Sequence, residues 1–355
     1  MVMYDVVVSR RLVEPAKEVL AGYRVAEMGA GGDPYKWSME RLSREGARVF
    51  ISVFTRVDNS LLNSARGLEL IITTSSGYDH IDVDRAEELG ICVANQPEVI
   101  SEAVAEYVIA AALSSLRQLV SSTRYVLEGL WYRGEWPGRR GGLLYSRTIG
   151  ILGLGRIGSI VAGRFKALGA GRILYWSRRR KPELELSLGA EKAGSLEDLF
   201  RESDIVVNLL PLNRETKGII TYRHLSLLKP GSIFINAGRG ATVDEKGLLR
   251  AAAEREDITF VLDVYPEEPI DPSHKLVELA RTRENIILTP HIAGSSKESH
   301  LLTQVLASRQ ARLYLETGNV WNPVNKPCRQ SSEGPPPIER LIREYAWNLG
   351  RTTNP

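Results

Sequence analysis

The chain reads as an α/β protein of two domains, each built on a doubly wound parallel sheet. Three observations lead there. Short apolar, β-branched runs alternate with segments of helical spacing along most of the sequence. A glycine-rich turn stands where one such run passes into a helix pattern. The length, 355 residues, exceeds the size at which a single hydrophobic core normally stops growing.

Composition is that of an ordinary globular protein, with 43% hydrophobic and 25% charged residues. Every uninterrupted apolar run falls short of a membrane span, and the amino terminus, Met1 to Val8, lacks a basic stretch ahead of a signal-type apolar region. A cytoplasmic protein with no membrane partner is expected. Net charge is only +3, and no nucleic-acid partner is expected either. The two cysteines, Cys92 and Cys328, lie far apart and match no metal-ligand spacing, so both are expected to be free thiols and no metal site is expected.

The first α/β series has strands expected at Val6–Ser9, Val49–Phe54 and Leu70–Thr73, each rich in Val, Ile or Leu. Ser101 is a candidate N-cap for a long helix through Leu119, whose Ala, Val, Ile and Leu content suits a buried helix joining two domains. A basic, Gly- and Trp-containing connection, Gly129 to Arg147, follows. The second series has strands expected at Thr148–Leu152, Ile173–Trp176, Ile205–Leu209, Ser232–Asn236, Phe260–Leu262 and Ile286–Leu288. The body is expected to close near Asn325. Beyond it lie a Ser-Ser-Glu-Gly-Pro-Pro-Pro hinge and a short helical pattern with Ile338, Leu341, Ile342 and Tyr345 on one face, which either docks or frays.

Chemistry enters at Gly153-Leu154-Gly155-Arg156-Ile157-Gly158, directly after a strand. Its first Gly permits the tight turn, the second admits a pyrophosphate to the backbone and the third lets helix pack on strand, while the amides of Arg156 and Ile157 face the anion. This is the dinucleotide fingerprint of a Rossmann domain. The next strand ends at Trp176, where an acidic residue commonly accepts hydrogen bonds from the adenosine ribose; here Ser177-Arg178-Arg179-Arg180-Lys181 stands instead. A hydroxyl and guanidinium groups suit a 2′-phosphate, so NADP(H) is the expected cofactor, with NAD(H) as the other candidate.

Three more segments put polar residues just past strand ends, where such sheets bind ligands: Asn236-Ala237-Gly238-Arg239-Gly240, Asp263-Val264-Tyr265-Pro266-Glu267-Glu268-Pro269 and Thr289-Pro290-His291-Ile292-Ala293-Gly294. Together with the glycine-rich loop and Ser75-Ser76-Gly77-Tyr78-Asp79-His80-Ile81-Asp82, they closely resemble the D-isomer-specific 2-hydroxyacid dehydrogenase family over residues 1 to about 327, five motifs falling in the family's order.

The resemblance implies an oxidoreductase acting on a small 2-oxo or 2-hydroxy acid. His291 is implied as the general acid/base, Glu268 as its carboxylate partner, with Glu267 the alternative, and Arg239 as the substrate-binding cation, assisted by amides of Ser76 and Gly77. Hydride reaching the carbonyl carbon leaves an alkoxide, so a donor with a pKa near neutrality suits that oxygen. Asp263 is implied as the partner of the nicotinamide carboxamide, with Ala237, Gly238 and Thr289 to Ala293 beside the cofactor. His80 is expected to be structural, and His224, His274 and His300 have no chemical context.

The family's topology makes the substrate domain discontinuous and flavodoxin-like, residues 1–98 plus 294–330, around a nucleotide domain of 99–293, leaving 331–355 as a tail. Family members are typically homodimers, and Gly129 to Gly142 resembles an arm that embraces the neighbour, with Trp136 reaching toward its pocket. Within the family the basic turn looks like that of NADP-dependent glyoxylate and hydroxypyruvate reductases. Phosphoglycerate- or lactate-type dehydrogenases are the enzymatic alternative, and a non-catalytic nucleotide-sensing scaffold is the alternative of another class. The formate-dehydrogenase branch is disfavoured because Glu268 stands where that branch carries Gln.

Overall fold

A computed structural model describes residues 3–133 and 141–351. The chain separates into two units, one made of residues up to Ile100 together with those from Ser295 onward, the other of Ser101–Gly294. The stretch holding Trp136 lies outside the described residues, so the arm expected there is not described.

In the first unit β1 (Tyr4–Val8), β2 (Val25–Glu27), β3 (Ala47–Ser52), β4 (Leu70–Thr73) and β5 (Cys92–Ala94) form a five-stranded sheet in the order β2-β1-β3-β4-β5, every pair parallel. That is the flavodoxin-like order. The strands are apolar at consecutive positions because both faces are covered. Val6, Val8, Val49, Ile51, Leu70 and Ile72 pack on one side, and Val7, Phe50, Ile71 and Val93 on the other. The helix Lys297–Thr317 supplies Leu301, Leu302, Val305 and Leu306 to the first of these cores, so the carboxy-terminal part of the chain completes the amino-terminal sheet.

Several expectations are corrected here. The third strand stops at Ser52, and Phe54 lies beyond it with a left-handed φ of 56°. Strands β2 and β5, three residues each, carry too little apolar pattern to have been read. The long helix starts at Glu98, directly after Pro97, and ends at Leu116; Ser101 is therefore inside it and buried rather than its cap. This helix, alone among the described residues, is long and apolar enough to cross a membrane by length and composition, although glutamates interrupt its apolar runs. It serves the fold as a core helix, with Val104, Ala105, Val108, Ala112 and Leu116 buried.

The cysteines are also corrected. Cys92 and Cys328 form a disulfide across a sequence separation of 236, with Cα atoms 4.8 Å apart. Distance along the sequence hid the pairing, because the segment after the long carboxy-terminal helix returns to β5. There Asn325 Oδ1 accepts the Val93 amide at 2.8 Å, its Nδ2 donates to the Ile91 carbonyl at 2.9 Å, and the Val324 amide donates to the Val93 carbonyl. The tail docks: Leu341 is fully buried, Tyr345 nearly so, and Arg309 pairs with Glu344 and donates to the Tyr345 hydroxyl.

The second unit holds β6 (Thr148–Leu152), β7 (Arg172–Trp176), β8 (Ala190–Lys192), β9 (Ile205–Asn208), β10 (Ile233–Asn236), β11 (Thr259–Leu262) and β12 (Ile286–Leu288). Their order is β12-β11-β10-β9-β6-β7-β8, all parallel. The direction of winding reverses between β6 and β9, and such a switch point opens a crevice at the carboxyl ends of the strands. The loops after β6, β7, β10, β11 and β12 all leave from that edge.

Candidate active site

The glycine-rich loop leaves β6 with Gly153 at φ 95°, and Gly155 is the N-cap of the helix Arg156–Ala167. A Cβ on Gly158 would lie 2.2 Å from the Gly153 carbonyl oxygen, so only glycine lets this helix approach the turn. A Cβ on Gly155 would meet nothing within 4 Å, leaving open space over the amides of Arg156 and Ile157 at the helix start. Leu154 is buried and offers only its backbone. An open, side-chain-free cradle at a helix N-terminus fits a pyrophosphate.

After β7 the basic turn is partly counter-charged. Ser177 Oγ donates to the Arg179 carbonyl at 2.6 Å, Arg178 pairs with Glu215 at 2.9 Å, and Arg180 pairs with Glu185 at 2.8 Å. Arg179 is exposed. An incoming phosphate therefore competes with Glu215 for Arg178.

The loops after β10, β11 and β12 converge. Arg239 leaves β10 in extended backbone, its Nη1 donating to the Gly238 carbonyl at 2.9 Å. His291, at the end of β12, has φ 52°, a left-handed conformation that costs energy in a residue with a Cβ. Its Nδ1 lies 2.5 Å from Glu268 Oε2, while Glu268 Oε1 accepts the Tyr265 amide at 2.9 Å. Glu268, not Glu267, is thus the carboxylate on the imidazole.

The two partners shift in opposite senses. The Glu268 bond raises His291 above the ordinary imidazole value, against burial and the nearby Arg239, which lower it. Burial pulls Glu268 upward, but the bonds from His291 and the Tyr265 amide and the charge of Arg239 hold it below the usual carboxylate range. The imidazole remains 43% exposed, and Glu268 engages only its Nδ1. A protonated imidazole next to a guanidinium can donate to an oxygen that is gaining negative charge.

Asp263 stands directly after β11. It is fully buried, and the loop after β12 bonds to it: Oδ1 accepts Thr289 Oγ1 at 2.5 Å and the Ile292 amide at 2.9 Å, and Oδ2 accepts the Ala293 amide at 2.8 Å. From the end of β11 it braces the loop after β12. Ala237 and Ala293 are buried as well, leaving backbone as what they offer.

In the first unit, Ser76 and Gly77 follow β4. Asn95 Nδ2 donates to the Ser76 carbonyl at 2.7 Å and Ser75 Oγ to the Gly77 carbonyl at 2.6 Å, and Thr73 Oγ1 lies 2.8 Å from Ser75 Oγ and 3.2 Å from His80 Nε2. In a trans peptide the N–H points away from the preceding carbonyl, so fixing the Ser76 carbonyl also fixes the Gly77 N–H. Phe54, 68% exposed, leaves the same sheet edge. His80 braces this loop, His224 caps a helix with Thr221, and His274 caps another and pairs with Glu245. None joins His291.

The sequence reading missed Tyr107, Tyr265 and Asn95 as supports. The one available signal was polarity out of place, a tyrosine within an Ala-, Val- and Ile-rich helix. No group of His, Cys, Asp and Glu suited to a metal occurs among the described residues.

Comparisons with known proteins bear on the family and the fold. Residues 109–293 match the family model described as D-isomer specific 2-hydroxyacid dehydrogenase, NAD binding domain. A glyoxylate reductase of Aeropyrum pernix is 40% identical over 309 residues, covering 85% of this chain and 90% of the relative. Among solved structures, an NADPH-dependent glyoxylate/hydroxypyruvate reductase of Sinorhizobium meliloti, in complex with NADP and malonate, superposes with a TM-score of 0.77 at 26% identity, covering 94% of this chain and 99% of that one. A D-lactate dehydrogenase of Aquifex aeolicus, complexed with NAD and lactic acid, gives 0.76 at 26% identity, covering 90% and 98%.

Proposed function

The chain belongs to the D-isomer-specific 2-hydroxyacid dehydrogenase family, and from that premise we propose that it reduces a small 2-oxo acid, glyoxylate or hydroxypyruvate first, to the 2-hydroxy acid with NADPH. The observation that carries this reading is the Glu268–His291 pair, with Arg239 beside it, on the edge of a nucleotide-binding sheet. The glyoxylate reductase relative favours the substrate, and the Ser177–Lys181 turn, which lacks a carboxylate, favours the phosphorylated cofactor.

The glycine-rich loop would hold the pyrophosphate and Ser177, Arg178 and Arg179 the 2′-phosphate. A bound reduced nicotinamide supplies the hydride. Arg239 pairs with the substrate carboxylate and polarises the carbonyl, and His291 gives its proton to the carbonyl oxygen, while the Ser76 and Gly77 amides are of a kind suited to an acid group. Glu268 favours the charged imidazole and orients its ring, so the donor holds its proton to higher pH than an ordinary imidazole would.

A homodimer fits the second unit. The helix Leu119–Leu127 has no buried residue, and Leu119, Val126, Leu127, Trp131 and Tyr132 all stand exposed, as do Leu143 and Tyr145. Light scattering tests this, with a monomer as the refuting result. A cytoplasmic location is part of the same reading.

Assaying glyoxylate, hydroxypyruvate and pyruvate with NADPH and with NADH decides the main points. Turnover with NADPH above NADH supports the proposal; NADH winning rejects the cofactor assignment; and no turnover with any 2-oxo acid rejects the enzymatic reading in favour of a nucleotide-sensing scaffold.

A further inference from the structure

The helix Glu98–Leu116 places one phenol among apolar neighbours, and a buried hydroxyl needs a partner. Tyr107 Oη lies 2.6 Å from Thr289 Oγ1, which in turn lies 2.5 Å from Asp263 Oδ1. Threonine has a single hydroxyl proton and gives it to Asp263, so it receives one from Tyr107. Burial pushes the tyrosine up to about 12, offset in part by the bond to Thr289, and it keeps the proton it donates.

The chain ends where the loop is most constrained. Three successive amides close onto Asp263: His291 on its main-chain carbonyl at 2.9 Å, then Ile292 and Ala293 on its carboxylate. The middle of the loop is the left-handed His291. From the other side the Tyr265 hydroxyl donates to the Thr289 carbonyl at 2.9 Å. A residue in a costly backbone conformation persists when its surroundings over-determine it, and here they do.

We propose that Tyr107 and Thr289 are positioning residues for the proton donor: through Asp263 they lock the backbone of His291, so that its ring meets Glu268 in one orientation. This rests on the reading of His291 as the general acid. Neither Tyr107 nor Thr289 touches the imidazole, so their effect runs entirely through the loop. The ionisable groups facing His291 are Glu268, Arg239 and Asp263, and Tyr107 and Tyr265 flank Asp263. Loosening the loop weakens the Glu268 bond first, and with it the main influence that keeps the imidazole protonated.

The test uses full-length Tyr107→Phe, Thr289→Val and Thr289→Ser. Tyr107→Phe is expected to lower kcat about tenfold and Thr289→Val somewhat more, because loss of ring placement acts on the transition state. KM for the 2-oxo acid and for the cofactor should stay within about twofold. Thr289→Ser, which keeps the hydroxyl, should restore most of kcat. The basic limb of the kcat–pH profile should move to lower pH in the first two variants and not in the third. Unchanged kcat, a loss confined to KM, or a Thr289→Ser enzyme as poor as Thr289→Val would each overturn the proposal. A side-chain NMR titration of the His291 ring separates this from the catalytic reading. If the parent turns over no 2-oxo acid, that reading falls, yet the ring pKa should still drop in Thr289→Val, and an unmoved ring pKa rejects the positioning role.

Discussion

The two sheets are wound on one plan but arm their carboxyl edges differently. The loop after β4 is held mainly by uncharged groups, Asn95 and Ser75 donating to the Ser76 and Gly77 carbonyls and Thr73 meeting the Ser75 hydroxyl. The loops after β10, β11 and β12 carry ionised groups, Arg239, Glu268 and His291, braced against a buried Asp263. Neutral dipoles can grip a carboxylate without altering when a neighbouring group titrates, whereas a proton donor needs a charge beside it to set its pKa. One edge is suited to holding, the other to reacting.

That division is open to test through the split between kcat and KM. The largest effect is expected at the ionised edge, where His291→Gln should lower kcat by roughly a hundredfold to ten-thousandfold with little change in KM, measured with the preferred 2-oxo acid. Reduction needs the imidazolium, and Glu268 raises the pKa of His291. Activity should therefore be retained below that raised pKa and lost as pH rises through it. In Glu268→Gln the falling limb should move toward the ordinary imidazole value near 6.5; a limb that does not move would assign it to another group. On the same sheet, Ser177→Asp should shift preference from NADPH toward NADH by about tenfold, since a carboxylate repels the 2′-phosphate. The smallest effect belongs to the neutral edge: Asn95→Ala, which frees the Ser76 carbonyl, should raise KM for the 2-oxo acid about fivefold and leave the pH profile unmoved. A kcat loss or a shifted limb in that variant would break the comparison.

How much of this was legible in the sequence follows the same physics. The glycine-rich loop could be read because its requirements are local: a turn, an open backbone and a close helix–strand contact all fall within six residues. Arg239, Glu268 and His291 could be named through the resemblance to the family of the motifs that carry them, each standing past an apolar strand, although only the fold brings them together. Asp263 was placed at its strand end, but nothing in the string of residues says that a threonine and two amides of the loop after β12 bond to its carboxylate. Asn95 and Tyr107 escaped because their partners lie far off in sequence; the helix start at Glu98 escaped because Ser101 offered a better-looking cap. The cysteines were misread for the reason that hid Tyr107: proximity in this fold is made by a crossing segment, not by spacing.

The disulfide makes the chain a closed ring. Residues 93 to 327, which include the whole Rossmann unit, hang between two points joined covalently at Cys92 and Cys328. A protease that cuts once anywhere in that ring opens it without parting the pieces. On a non-reducing gel the nicked protein should still run as a single chain of full mass, and only a thiol reductant should release its fragments.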